Sequence, residues 1–283
     1  MAKKTVLIIP NLTKPNTAEL MKQIISTLQQ SGCLPVMDER FSSMFVGVQY
    51  GVFEQLIQIC DFVVTVGGDG TILHSAKHAV RYDKPLIGIN TGRLGFLAQV
   101  EANEIERLSR LSSGDYFIKQ CMILQVLIDG DETVRYAIND VVISKGELSR
   151  LVDLDIAVDG KSMASYRADG LIFATPIGST AYSLSAGGPI VNPEINTIIL
   201  TPICPHSLFD RTVLLPADMQ LQVRSRFINN SDHVVVSIDG DRIVTLDKRK
   251  SVHIRKSDKC VRFISFPEKN FNSILSRKLK SRG

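Results

Sequence analysis

The chain has 283 residues, 44% hydrophobic and 22% charged, proportions of a globular protein that exclude disordered, collagenous and low-complexity classes. At roughly 100 to 200 residues per domain, this length predicts two domains, each able to bury a core. Lys plus Arg is 33 and Asp plus Glu is 29, a formal charge of +4 that points away from a nucleic-acid partner, and part of the excess is a tail at Arg277, Lys278, Lys280 and Arg282.

No apolar run approaches the roughly 20 residues of a membrane helix, so no membrane partner is expected. Lys3 and Lys4 precede an apolar stretch, but Pro10 stops it at once, which reads as a first strand and not a signal peptide. The cysteines, Cys33, Cys60, Cys121, Cys204 and Cys260, are odd in number and contain no C-x-x-C pair. That usage fits a reducing cytoplasm better than a disulfide scaffold or zinc site. His74 and His78 share a helical face, but no Glu follows His74 and no third ligand is evident, so no protein-held metal is expected.

Thr5 to Ile9 is apolar and β-branched and predicts a strand. Thr17 to Gln30 carries Leu20, Ile24, Ile25 and Leu28 at helical spacing and ends at Gly32. A strand near Leu34 to Met37, a short helix over Phe53 to Ile59 and a buried strand over Phe62 to Val66 follow. Then come a helix over Thr71 to Arg81, a strand over Pro85 to Ile89 and a helix over Asn103 to Leu111. Such alternation favours a parallel sheet covered on both faces.

Past about residue 115 strand follows strand, and Asp129-Gly130, Asp159-Gly160 and Asp239-Gly240 mark tight turns between β-formers. The expected class is therefore α/β. An N-terminal α/β (Rossmann-like) domain spans residues 1–115, and a β-rich second domain spans 116–266. A C-terminal helix and basic tail, 267–283, packs back on the first domain through Phe271, Ile274, Leu275 and Leu279.

The first segment with chemical content is Val63 to Leu73, an apolar strand feeding Gly67-Gly68-Asp69-Gly70-Thr71 at a helix start. Three glycines let a backbone approach a phosphate, and a helix start offers N–H groups to an anion. Asp69 is the odd residue out, since a carboxylate among such amides repels phosphate unless it has a job. It could accept a proton from an attacking hydroxyl or hold Mg²⁺. Neither a G-x-x-x-x-G-K-[ST] loop nor a G-x-G-x-x-G fingerprint is present, and an ordinary tight turn is the plain alternative.

These residues carry a resemblance. Gly67 to Thr71 resembles the motif shared by NAD kinases, diacylglycerol and sphingosine kinases and, more distantly, 6-phosphofructokinases. Asn90-Thr91-Gly92-Arg93-Leu94-Gly95-Phe96-Leu97 resembles a second NAD kinase motif. Tyr166 to Pro189, with Arg167-Ala168-Asp169-Gly170 and Thr175-Pro176-Ile177-Gly178-Ser179-Thr180-Ala181-Tyr182-Ser183-Leu184-Ser185, is close to the longest and most specific one, and Leu200 to His206 adds a fourth. The similarity spans nearly the whole chain and is nearest to bacterial NAD kinases. A lipid kinase shares only the first motif, and a non-catalytic NAD(H)-binding regulator would not need Asp69.

The resemblance implies Mg²⁺-dependent transfer of the γ-phosphoryl group of ATP to the 2′-hydroxyl of the adenosine ribose of NAD⁺. Asp69 then corresponds to the proton acceptor, with Gly70 beside it in the loop. Asn139-Asp140 falls where the family usually has Asn-Glu against the ribose and adenosine. Arg167, Asp169, Thr180, Ala181, Tyr182, Ser183, Leu184 and Ser185 correspond to NAD-lining positions, with Tyr182 suited to stacking on a base. His74, Arg150 and Asp241 correspond to weaker contacts, His206 reads equally well as loop structure, and Arg93 could approach phosphate but is not assigned to the site. The expected partners are small-molecule nucleotides and further copies of the chain, as a homodimer or homotetramer, with the active site in the cleft between the two domains.

Overall fold

A computed structural model of the chain describes residues 3–14, 16–92, 95–146, 151–226, 234–246, 250–268 and 271–280. Its first unit comprises residues 1–120 together with 261–283, and its second residues 121–260. In chain order the first unit holds β1 (Thr5–Pro10), α1 (Thr17–Gln30), β2 (Leu34–Asp38), β3 (Gln49–Gly51), α2 (Phe53–Ile59), β4 (Phe62–Gly67), α3 (Asp69–Arg81), β5 (Leu86–Asn90), β6 (Val100–Glu101) and α4 (Arg110–Ser113). Strands β5, β4, β1, β2 and β3 lie side by side in that order, all parallel. Their apolar side chains, among them Val6, Ile8, Val64, Val66, Ile87 and Ile89, pack with Leu20, Met21, Ile24 and Leu28 of α1.

Two expected helices differ from what folds. The helix after the Gly-rich loop begins at Asp69 and not Thr71, because the N–H groups of Thr71 and Ile72 already donate to the carbonyl of Gly68, at 2.9 and 3.0 Å. Over 103–111 the chain forms a 3₁₀ helix, Ile105–Ser109, before α4. Ile105, Leu108 and Leu111 are buried three residues apart, the period of a 3₁₀ turn.

The second unit takes most of its strands from β7 (Phe117–Ile128), β8 (Asp131–Ala137), β9 (Asp140–Lys145), β10 (Val152–Val158), β11 (Lys161–Ala168) and β12 (Gly170–Ala174). After the short helix α5 (Tyr182–Ser185) come β13 (Thr197–Ile203), β14 (Val213–Pro216), β15 (Leu221–Arg226), β16 (Val234–Ile238), β17 (Asp241–Leu246) and β18 (Ser251–Ser265), then α6 (Phe271–Lys280). Both unit limits fall inside strands, β7 and β18, whereas the expected limits at 115/116 and 266/267 follow the change from strand–helix alternation to strand after strand and the start of the terminal helix. Residues 261–283, with α6, belong to the first unit.

An antiparallel sheet ordered β14-β13-β12-β9-β16-β17 is the second unit's centre. One face packs Ile143, Leu171, Phe173, Leu200 and Val236 against Leu154, Ile156, Val223, Val252 and Ile254. The other face packs Val142, Ile172, Ala174 and Ile199 against Val191 and Ala186. Burial on both faces is why β12 reads as the unbroken apolar run Leu171-Ile172-Phe173-Ala174, with no polar alternation.

Candidate active site

In the first unit the order of β5-β4-β1-β2-β3 reverses between β1 and β4. At that switch point an open parallel sheet leaves a crevice beyond the carboxyl ends of its strands. Asn11 follows β1 there, and Gly68 and Asp69 follow β4. The Asn11 N–H donates to Val66 O at 2.8 Å and its Nδ2 to Thr71 Oγ1 at 3.1 Å, so the two strand ends are tied together.

Asp69 stands in the first turn of α3, where a negative charge meets the positive end of the helix dipole. Its carboxylate accepts the Phe96 N–H on Oδ2 at 2.9 Å and the Leu97 N–H on Oδ1 at 3.2 Å. Gly95 makes this approach possible, since a Cβ there would overlap Asp69 Oδ1. By contrast, a Cβ on Gly68 or Gly70 would meet nothing within 4 Å. Packing therefore does not require these two glycines, and the loop presents bare backbone outward. His74 is exposed one turn later, its ring centre 5.2 Å from that of His78, which meets Phe53 edge-on at 5.0 Å. Burial first, then the neighbouring His74, lowers the pKa of His78. Among the described residues no group of three or more His, Cys, Asp or Glu could hold a metal.

In the second unit Ile238 pairs with Val141, which brings the Asp239-Gly240 turn against residues 138–140. Asp239 and Gly240 both take left-handed backbone, φ 50° and 84°. The Asp239 carboxylate accepts the N–H groups of Ile138 (3.1 Å), Asn139 (2.7 Å) and Asp140 (3.2 Å). From the other side the Thr175 N–H donates to Asn139 O at 2.8 Å, and Thr175 Oγ1 donates to Ile138 O at 2.6 Å while accepting the Gly178 N–H at 3.0 Å. A Cβ on Gly178 would overlap the carbonyl of Asn139. Asn139-Asp140 is thus clamped between two loops and is not a free turn.

Asp140 opens β9 and is only 4% exposed. Burial, and then the Asp239 carboxylate, push its pKa up to about 7, against the Tyr182 N–H that donates to it. Tyr182 begins α5 with its side chain exposed, and half-buried Thr180 donates through Oγ1 to Ile177 O at 3.1 Å. Half-buried Ala181 and Leu184 and exposed Ser185 complete that surface. Ser183 is the exception among the expected lining side chains. It is fully buried and hydrogen-bonds Thr201 Oγ1 at 2.8 Å, so its hydroxyl serves packing.

Asn139, Asp140 and Tyr182 therefore meet at one end of β12. Arg167 and Asp169 lie at its other end, a strand of five residues or about 17 Å away. There Lys145 Nζ contacts Asp169 at 2.6 Å, and the Arg167 carbonyl accepts the His206 N–H at 2.8 Å. Asp241 is exposed at the start of β17. Arg150 lies outside the described residues, as do Arg93 and Leu94. Asn11, Lys145, Asp239 and the Phe96 and Leu97 amides escaped sequence reasoning. Only Asp239 left a trace there, as the Asp of an Asp-Gly turn.

Residues 6–116 match the family model of the ATP-NAD kinase N-terminal domain, and residues 138–266 that of the ATP-NAD kinase C-terminal domain. The chain is 35% identical to the NAD kinase of Thermoanaerobacter pseudethanolicus, over 99% of this chain and 100% of that protein. It is 38% identical to the NAD kinase of Heliobacterium modesticaldum, over 98% of each. Among solved structures, yeast NADH kinase complexed with NADH is similar with a TM-score of 0.87 and 27% identity, over 99% of this chain and 88% of that one. An NAD kinase from Archaeoglobus fulgidus in complex with ATP gives a TM-score of 0.74 and 26% identity, over 99% and 100%. With both family models matched in order and relatives above 30% identity along its length, the chain belongs to the ATP-NAD kinase family.

Proposed function

We propose that the chain is an NAD kinase that transfers the γ-phosphoryl group of ATP to the 2′-hydroxyl of the adenosine ribose of NAD⁺, giving NADP⁺ and ADP. The observation that carries this reading is Asp69, fixed by two backbone amides at the carboxyl end of β4 beside glycines whose outward faces are open. A carboxylate has about four acceptor positions, so two amide bonds leave lone pairs for a substrate hydroxyl. In the loose transition state of phosphoryl transfer the alcohol gives up its proton late, and one carboxylate within reach suffices. The bond from Pγ to the bridging oxygen breaks as the bond to the ribose oxygen forms, and Asp69 takes the proton.

The first turn of α3 offers N–H groups without intrahelical partners, which suits the triphosphate of ATP. A divalent cation such as Mg²⁺ fits as a companion of that triphosphate, since it binds through phosphate oxygens and one or two carboxylates, of which Asp69 is the one in this loop. It would neutralise charge on the transferring group. On the acceptor side Asn139, Asp140, Thr180, Ala181, Tyr182 and Ser185 are the residues we assign to NAD⁺, the exposed Tyr182 ring serving to stack on a base. With its pKa at about 7, Asp140 stands as hydrogen-bond donor as much as acceptor. The same reading places the protein in the cytoplasm as a homodimer or homotetramer, which sedimentation velocity checks.

The test is NADP⁺ formation from NAD⁺, ATP and Mg²⁺, read through an NADP-specific dehydrogenase with a control lacking ATP. ATP-dependent product is expected. No product from protein that still binds NAD⁺ by calorimetry would refute the reading in favour of a non-catalytic binder.

A further inference from the structure

Helix α6 carries half-buried Phe271, Ile274, Leu275 and Lys278, the i, i+3, i+4, i+7 face of a helix, whereas Asn272, Ser276 and Arg277 are exposed. The segment leading to it is fastened within the first unit by Glu268, which accepts from Arg110 at 2.9 Å. The same guanidinium lies 5.5 Å from the centre of the buried Phe266 ring. On the far part of the helix, Lys278 Nζ sits 4.2 Å from the centre of the Phe96 ring. Phe96 is the residue whose N–H holds Asp69 Oδ2 at 2.9 Å.

We propose that Lys278, on the C-terminal helix, is a positioning residue for Asp69 that acts through Phe96. An ammonium over an aromatic face is attracted by the ring quadrupole, and the lysine stem adds apolar contact. The ring is thereby held from one side while the backbone of the same residue is held by the carboxylate on the other. Gly95, which can carry no side chain without striking Asp69, lets the segment lie this close. The plane of the Asp69 carboxylate then depends on where residues 95–97 lie, and α6 helps set that place. Helix α6 thus acts on the Asp69 loop through Phe96. The inference rests on the reading of Asp69 as proton acceptor.

Lys278→Met keeps the stem and removes the charge, Lys278→Arg keeps a cation for the ring, and Phe96→Leu removes the ring. Lys278→Met is expected to lower kcat about three- to tenfold. KM for ATP and NAD⁺ and the thermal midpoint should stay where they are, and Lys278→Arg should restore kcat. In the Phe96→Leu background Lys278→Met should have no further effect, since its target is gone. An undiminished kcat for Lys278→Met, a loss confined to KM, or full additivity with Phe96→Leu would each overturn the proposal. Asp69→Asn in the same assay separates the two readings. If it keeps full activity, the base assignment itself fails and the positioning role fails with it. If it is inactive while Lys278→Met is normal, only the positioning role fails.

Discussion

Replacing Asp140 by Asn should flatten the pH dependence of stability between about pH 4 and 7. Asp140 is 4% exposed, and burial, followed by the Asp239 carboxylate, raises its pKa from 3.8 to about 7. A carboxyl whose native pKa is raised favours the fold while protonated. Its contribution is fully present below about pH 3.8 and is lost as pH rises through about 7. At about 1.4 kcal/mol per unit, the interval between those values corresponds to a loss on the order of 4 kcal/mol by pH 8. Asn is isosteric and neutral at every pH, its Oδ1 can still accept the Tyr182 N–H, and its amide can donate toward Asp239. The variant should therefore gain stability relative to the parent as pH rises from about 4 to 7, most steeply between the two pKa values at about pH 5 to 6, and the difference should level off by about pH 8. The chain has no Trp, so urea unfolding is best followed by far-UV circular dichroism, with calorimetry to resolve the two units if they melt separately. Parallel pH curves for parent and Asp140→Asn would refute the reasoning, because they would mean that Asp140 ionises in the fold as easily as in the unfolded chain.

Asp69→Asn should lower kcat by about two to four orders of magnitude with NAD⁺ binding retained by calorimetry, the range ascribed to a positioned general base. Gly95→Ala should lose activity comparably and cost about 1 to 3 kcal/mol in stability, because the new Cβ displaces the Asp69 carboxylate and takes the acceptor from the Phe96 and Leu97 N–H groups. Gly68→Ala has open space for its Cβ, so the thermal midpoint should hold while KM for ATP rises, and an unaltered KM would mean that no ligand approaches there. Thr175→Val strands the Gly178 N–H and the Ile138 carbonyl and should cost about 1 to 3 kcal/mol in urea unfolding, with weaker NAD⁺ binding.

Legibility in the sequence followed the range of the forces involved. Helix α1 was readable over Thr17–Gln30 because its buried residues recur at helical spacing within one segment. The onset of α3 was misplaced by two residues because glycines at 68 and 70 look like turn chemistry, and only the Gly68 carbonyl bonds show where the helix begins. Asp69 itself stood out, since a carboxylate among phosphate-binding glycines needs a reason. What holds it did not, because the donors at 96 and 97 are backbone groups and leave no side-chain signature. The Asp239 clamp on 138–140 depends on the register of β16 against β9, a pairing across about a hundred residues that no local pattern encodes. For that reason the Asp239-Gly240 turn was legible, while the three N–H groups its carboxylate accepts were not.

The division of the chain also sets an order of events during synthesis. Residues 121–260 form one unbroken stretch, whereas the first unit needs residues 261–283 to be complete. On a ribosome adding about 5 to 20 residues per second, the parallel sheet that carries Asp69 waits about 10 to 30 s for its last strand and helix. The whole β-rich unit is synthesised in that interval. Released chains truncated at residue 260 should accordingly show protease protection in the second unit and not in the first, and should carry the Gly67 to Thr71 loop without the helix whose Lys278 lies over the Phe96 ring.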